Sequence, residues 1–141
     1  MRYTDENGIS YELNQEKLTG IVVWSLEASG LIIIPKSVKY ENNEYLIIGI
    51  HQGSFQRNHN IKTIKFAEDS KVETISNGAF SSSSLENLYL PSSIKNLEDG
   101  WNSCISLNFK VFLPSNSSYF SYINDQILIG SSNSADENKN A

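Results

Sequence analysis

The chain repeats one apolar phrase at nearly constant spacing, and this constrains its fold more than any other feature. From Leu85 it reads Leu-Glu-Asn-Leu-Tyr-Leu-Pro-Ser-Ser-Ile-Lys-Asn-Leu, then an acidic-glycine turn and Trp101. From Ile61 it reads Ile-Lys-Thr-Ile-Lys-Phe, then Val72, Ile75 and Gly78-Ala79-Phe80. From Leu31 it reads Leu-Ile-Ile-Ile-Pro, then Val38, an insertion, Ile48-Gly49-Ile50 and Gly53-Ser54-Phe55. A fourth copy begins after Leu107 and fades past Pro114. A unit this short cannot bury its apolar side alone, so successive units must stack on one another.

The opening anchors Ile61, Leu85 and Leu107 are 24 and 22 residues apart, and the aromatic anchors Phe55, Phe80 and Trp101 are 25 and 21 apart. A period of about 22–25 lies within the leucine-rich-repeat range. Within each phrase the last two apolar residues alternate with period two, as strand residues facing one side do. They are Ile32 and Ile34, Ile64 and Phe66, Leu88 and Leu90, and Val111 and Leu113. A second inward set is Val72 and Ile75, then Ile94 and Leu97. Pro35, Pro91 and Pro114 follow three of the strands; proline lacks an N–H and ends a strand where the coil turns. The expected fold is a mainly β leucine-rich-repeat solenoid, of the right-handed β/α-superhelix class with little or no helix. It has three to four repeats of 22–25 residues and an N-terminal β-hairpin cap. Phe55, Phe80 and Trp101 are expected to pile in one file.

Residues between the inward pairs must point outward. Ile33, Lys65, Tyr89 and Phe112 supply one per coil, and neighbouring strands about 4.8 Å apart turn them into a continuous row. Thr63, Asn87 and Lys110 form a second row beside it. Apolar and aromatic residues gathered on one face mark an interface, and aromatics are favoured anchors there. These seven residues are the candidate binding site.

At 141 residues the chain reads as one domain. Residues 1–30 lie outside the repeat and form the β cap: Ile9 to Leu13 alternates like a half-buried strand, and Leu18 to Leu26 supplies a second. Repeats occupy 31–114, a closing strand 115–130, and a disordered polar tail 131–141. Between Val38 and Ile48, Asn42-Asn43 can take positive φ, so two short strands fold back with Tyr40 facing Tyr45. The net charge of −5 argues against nucleic acid, which wants a basic face, and against an anionic membrane surface. No apolar run is long enough to span a membrane, and the polar first residues lack the apolar middle of a secretory signal. A single cysteine, Cys104, excludes an intrachain disulfide and a multi-cysteine zinc site.

The string Leu85-x-x-Leu88-x-Leu90-Pro91-Ser92-Ser93-Ile94-x-x-Leu97, followed by Gly100-Trp101-x-x-Cys104-x-x-Leu107, resembles the BspA-type (Treponema pallidum-type) leucine-rich repeat. Gly78-Ala79-Phe80 matches that family's Ala-Phe corner, Gly100 and Trp101 stand where it has Ala and Phe, and Cys104 takes its cysteine position. The resemblance covers roughly residues 5–130. It implies a surface or secreted protein of the adhesin type, recognising host or microbial proteins; it carries no functional residue motif. An intracellular interaction scaffold and a carbohydrate binder, with sugar rings on Tyr89 and Phe112, are the alternative readings.

Chemistry-bearing groups do not converge in the sequence. His51 and His59 lack acidic or cysteine neighbours at ligand spacing. Glu68-Asp69 and Glu98-Asp99 read as turn residues before they read as a calcium cage. Cys104 has no placed base and reads as a packed thiol. Asn116-Ser117-Ser118 is a glycosylation acceptor in a eukaryotic secreted chain only. No cofactor, no metal and no catalysis are expected.

Overall fold

Strict alternation along β-branched residues dictates extended chain, and strands are what form. The computed structural model describes residues 1–104 and 106–114, so the closing strand, the polar tail and Asn116 lie outside the described residues. Every regular element among the described residues is a strand: β1 (Arg2–Thr4), β2 (Ser10–Asn14), β3 (Thr19–Val23), β4 (Gly30–Ile34), β5 (Ser37–Tyr40), β6 (Asn43–Ile50), β7 (Ile61–Phe66), β8 (Thr74–Ile75), β9 (Asn87–Tyr89), β10 (Asn96–Leu97) and β11 (Lys110–Phe112).

Two sheets result. One is parallel throughout, in the order β11-β9-β7-β4. The other has the order β1-β2-β3-β6-β8-β10, with β5 paired to β6. Its members β3, β6, β8 and β10 are also parallel. Each turn of chain therefore crosses from the second sheet to the first: β3 to β4, β6 to β7, β8 to β9, β10 to β11. This is a β-solenoid of about four turns, as the repeat predicts. The inward residues fill the space between the sheets. Ile32, Ile34, Ile64, Leu88, Leu90, Val111, Leu113, Val72, Ile75 and Ile94 are buried in one core, while Phe66 and Leu97 pack at its margin. Exposed ion pairs tie successive coils (Lys36–Asp69 3.6 Å, Lys62–Glu86 3.5 Å, Lys95–Glu73 3.5 Å) and contribute under about 1 kcal/mol each.

The corner of each coil is built on glycine. Gly53, Gly78 and Gly100 sit at φ of 74°, 70° and 81°, a region that an L side chain resists. Gly53 N–H donates to Gly78 O at 3.3 Å, and Gly78 N–H to Gly100 O at 3.1 Å, so the three stack in register. This corrects one alignment: Gly100 matches Gly78, not Ala79. Phe55 and Phe80, two residues after their glycines, are fully buried and stack at 5.9 Å, 19° from parallel. Trp101 follows its glycine directly and enters the same core from one slot earlier.

A polar column runs three residues beyond the aromatics. Asn58 is buried; its amide donates to Ser25 O (3.0 Å) and Ala28 O (2.8 Å), and its oxygen accepts from Asn60 N (2.8 Å) and Ile61 N (3.2 Å). Ser83 holds the same slot in the next coil and accepts from Leu85 N at 3.4 Å. Cys104 follows, with Sγ 3.9 Å from Ser83 Oγ.

Three expectations need correction. Leu107 is fully exposed and does not anchor the fourth copy. The ladder pairs Lys110 with Asn87, a step of 23, so a residue 22 after Leu85 falls one place early, in a turn. Phe109 packs on the core instead. In the β5–β6 hairpin the positive-φ residues are Glu41 and Asn42, at 48° and 70°, so the turn sits one residue earlier than Asn42-Asn43. Tyr45 consequently pairs with Val38, and Tyr40 packs on Tyr3 of β1 at 5.1 Å rather than on Tyr45.

At the first coil, β2 and β3 form an antiparallel pair, and β3 is also the first rung of the parallel ladder. Ile9, Tyr11 and Leu13 cover the end of the core. Tyr11 is fully buried, and its hydroxyl donates to Asp5 Oδ2 at 2.7 Å, while Asp5 Oδ1 accepts from Asn7 N and Ile9 N. Burial first, and the Asp5 carboxylate second, push the Tyr11 hydroxyl well above the ordinary phenol range. Gly8, at φ 82°, closes this loop against Glu27 and Ala28, where a Cβ would approach backbone within 2.8 Å.

Candidate protein-binding face

The outer surface of the four-stranded sheet carries all seven sequence-predicted residues. Pairing registers Ile33 with Lys65 and Tyr89 with Phe112; Ile64 opposite Leu88 carries the same line from Lys65 to Tyr89. The row therefore forms in the predicted order. Thr63, Asn87 and Lys110 are likewise in register, and Asn87 Nδ2 donates to Thr63 Oγ1 at 3.3 Å.

The row is not uniform. Ile33 is 53% exposed and Lys65 is exposed, whereas Tyr89 is half-buried and Phe112 only 6% exposed. Phe112 stands apart from the core cluster but is not the open aromatic expected of it. Its ring stacks on Tyr89 at 4.2 Å and 8°, while Lys65 Nζ lies 4.8 Å from the Tyr89 centroid. The strand order puts these neighbours on opposite sides of Tyr89, so a cation and an aromatic enclose its ring. Such contacts contribute about 0.5–1.5 kcal/mol each and hold the side chains in place.

Leu31 is a member that sequence reasoning missed. It pairs with Thr63 and is 57% exposed. The alternation that places Ile32 and Ile34 inside places Leu31 and Ile33 outside, and that signal was present.

Cys104, Glu98, Asp69 and His59 have structural partners. Burial pushes the Cys104 thiol up to about 11, against a smaller lowering from Ser83. Glu98 Oε1 accepts from Asn77 N at 3.0 Å, Asp69 pairs with Lys36, and His59 Nε2 lies 3.2 Å from Ser82 O. Among the described residues no three His, Cys, Asp or Glu side chains gather as a metal ion requires. No helix among them is long and apolar enough to cross a membrane.

No curated protein matches the sequence. Solved structures do. A pneumococcal vaccine antigen, PcpA, superposes with a TM-score of 0.55 at 17% identity, over 83% of this chain and 39% of that one. A leucine-rich-repeat protein of Bacteroides ovatus gives 0.46 at 18%, over 82% and 38%. A leucine-rich cell surface protein of Faecalibacterium prausnitzii gives 0.42 at 16%, over 84% and 44%. The chain thus spans about two fifths of the length of these solved chains. The profile of the BspA-type leucine-rich-repeat region matches residues 32–134 in six copies. With most of its length so matched and its coils stacked as that repeat demands, this chain belongs to the BspA-type leucine-rich-repeat family.

Proposed function

We infer that this chain is a non-catalytic protein-recognition module of the adhesin type, displayed at a cell surface, and that it binds through the outer face of the four-stranded sheet. The observation that supports this most is the in-register patch Leu31, Ile33, Lys65 and Tyr89. It is apolar and aromatic, and it is fixed by the ladder before any partner arrives. Preorganised side chains lose little entropy on binding. Family membership supports the adhesin reading.

A protein partner fits the face better than a sugar. A carbohydrate stacks on a free aromatic face, and here Lys65 and Phe112 occupy both sides of the Tyr89 ring. Membership of a leucine-rich-repeat family supports a non-catalytic role.

The test is affinity capture with the recombinant chain, followed by titration of the purified partner against a Lys65→Ala/Tyr89→Ala double variant. Loss of two anchor contacts should weaken binding by roughly tenfold or more. A partner that bound the double variant as tightly as the wild type would place recognition elsewhere.

A further inference from the structure

Among the described residues the four-stranded sheet ends at β4, which pairs there only with β7. Backbone bonds show which way β4 faces. Gly30 N–H donates to Asn60 O at 2.8 Å, and Ile34 O accepts from Ala67 N at 2.9 Å. Even-numbered residues of β4 therefore turn their backbone groups to β7. By strand geometry, the N–H and C=O of Leu31 and Ile33 point the other way, to the open edge. The same two residues carry the most exposed apolar side chains of the sheet, at 57% and 53%. Gly30 has open space where a Cβ would stand. Natural edge strands are blunted by charge, proline or a bulge that turns them away. Gly-Leu-Ile-Ile-Ile carries no charge, its proline comes only afterwards, at Pro35, and its one register shift, between Gly30 and Leu31, leaves Leu31 to Ile34 in unbroken pairing with β7.

A groove of about 440 Å³ continues past this edge, between Ile33 and Pro35 on one wall and the cap loop Asp5 to Asn7 on the other, with Lys39 beyond. Asp5 is occupied by Tyr11 and two backbone N–H groups. Glu6 is exposed and joins no ion pair among the described residues. The cap loop thus flanks the edge at Ile33 and Pro35. Pairing only five residues of each chain, a second copy would bury too little for a stable dimer, and two chains of net charge −5 repel.

We propose that the open edge of β4 takes up an extended segment of a partner polypeptide as a fifth strand. That segment has apolar residues at alternate positions over Leu31 and Ile33, and a Lys or Arg facing Glu6. Main-chain bonds to Leu31 and Ile33 supply affinity, and the alternate side chains supply choice. This deepens the sheet-face reading and rests on it for the premise that the partner is a polypeptide.

The probe is a phage-displayed library of random peptides, panned against the full chain. Enriched peptides should alternate apolar residues and carry a basic one. Their synthetic versions should protect the Leu31 and Ile33 amides from exchange. Ile33→Pro deletes an N–H that the β7 ladder does not use, so its urea midpoint should match the wild type. Peptide affinity should nevertheless fall roughly tenfold, as one backbone bond lost at an interface predicts. Ile33→Ala, which keeps the N–H, should lose less. No enrichment, or peptides that bind Ile33→Pro as well as wild type, or unchanged exchange at both amides, would overturn strand addition. The Lys65→Ala/Tyr89→Ala variant separates the two ideas. Partner binding lost there but kept in Ile33→Pro would leave the sheet face standing and the edge refuted.

Discussion

Asn58→Ala is the sharpest test of how the coils are joined. Asn58 makes four hydrogen bonds from a buried position and ties the corner of the second coil to Ser25 and Ala28 of the first. Truncation removes all four. Ser25 O keeps a second donor in Ala28 N–H at 3.4 Å. Ala28 O, Asn60 N and Ile61 N lose the amide partner. At about 1 kcal/mol per bond the cost is about 3–4 kcal/mol. That is a large share of the ~5–15 kcal/mol that holds a domain together. With a urea slope near 2 kcal/mol/M, the midpoint should fall by about 1.5–2 M. Asn58→Ser is the matched control. Ser83 shows that a hydroxyl in this slot can accept from the N–H two residues on. The serine variant should therefore recover about 1 kcal/mol, roughly a quarter to a third of the loss. Circular dichroism against urea measures the midpoints. Hydrogen exchange should locate the loosening at Asn60, Ile61 and Gly30, whose N–H donates to Asn60 O. Coincident midpoints for alanine and wild type would refute the claim that this amide pins the corner.

Two further outcomes follow from ionisable groups, Cys104 half-buried and Tyr11 fully buried. With its thiol raised to about 11, Cys104 should react with iodoacetamide at pH 8 about 100-fold more slowly in the folded chain than in urea, and equal rates would show the thiol to be open. A raised folded value means that its contribution is whole below the unfolded thiol range and is lost as pH climbs toward 11. Tyr11 has the same sign: folding holds it protonated, so stability should decline above about pH 10, where the unfolded phenol ionises. Tyr11→Phe should cost about 1 kcal/mol at neutral pH and flatten the alkaline decline, as followed by urea midpoints between pH 8 and 11.

Much of this fold is legible because the repeat states it several times. Ile32, Ile64, Leu88 and Val111 agree on one face at one offset, and a single alternation rule places all of them. Reading fails where a signal occurs once or slips by one residue. Leu107 looked like Ile61 and Leu85, but the ladder advances 23 residues there, and one place moves a side chain from core to solvent. The turn at Glu41-Asn42 slipped by the same amount. Asn58 went unnoticed because Asn, Ser and Cys share no chemistry class. What they share is a position three residues beyond an aromatic corner, which becomes visible only when the corners are stacked.

The seven proposed contact residues sit on the predicted face, yet their exposure was not readable residue by residue, for a physical reason. Outward direction is a local property, fixed by alternation. Accessibility depends on what stands beside the strand. Tyr89 and Phe112 point outward and still lose their open faces to each other and to Lys65. Leu31 and Ile33 have the same local pattern but lie at the end of the ladder, with β7 on one side only among the described residues. The hairpin of β2 and β3 extends the other sheet, so the cap covers the end of the core through Ile9, Tyr11 and Leu13 without adding a strand beside β4. A solenoid must seal its apolar end, but it need not seal both sheet edges to do so. Sealing only one leaves β4, an uncharged strand, able to recruit its neighbour from another chain.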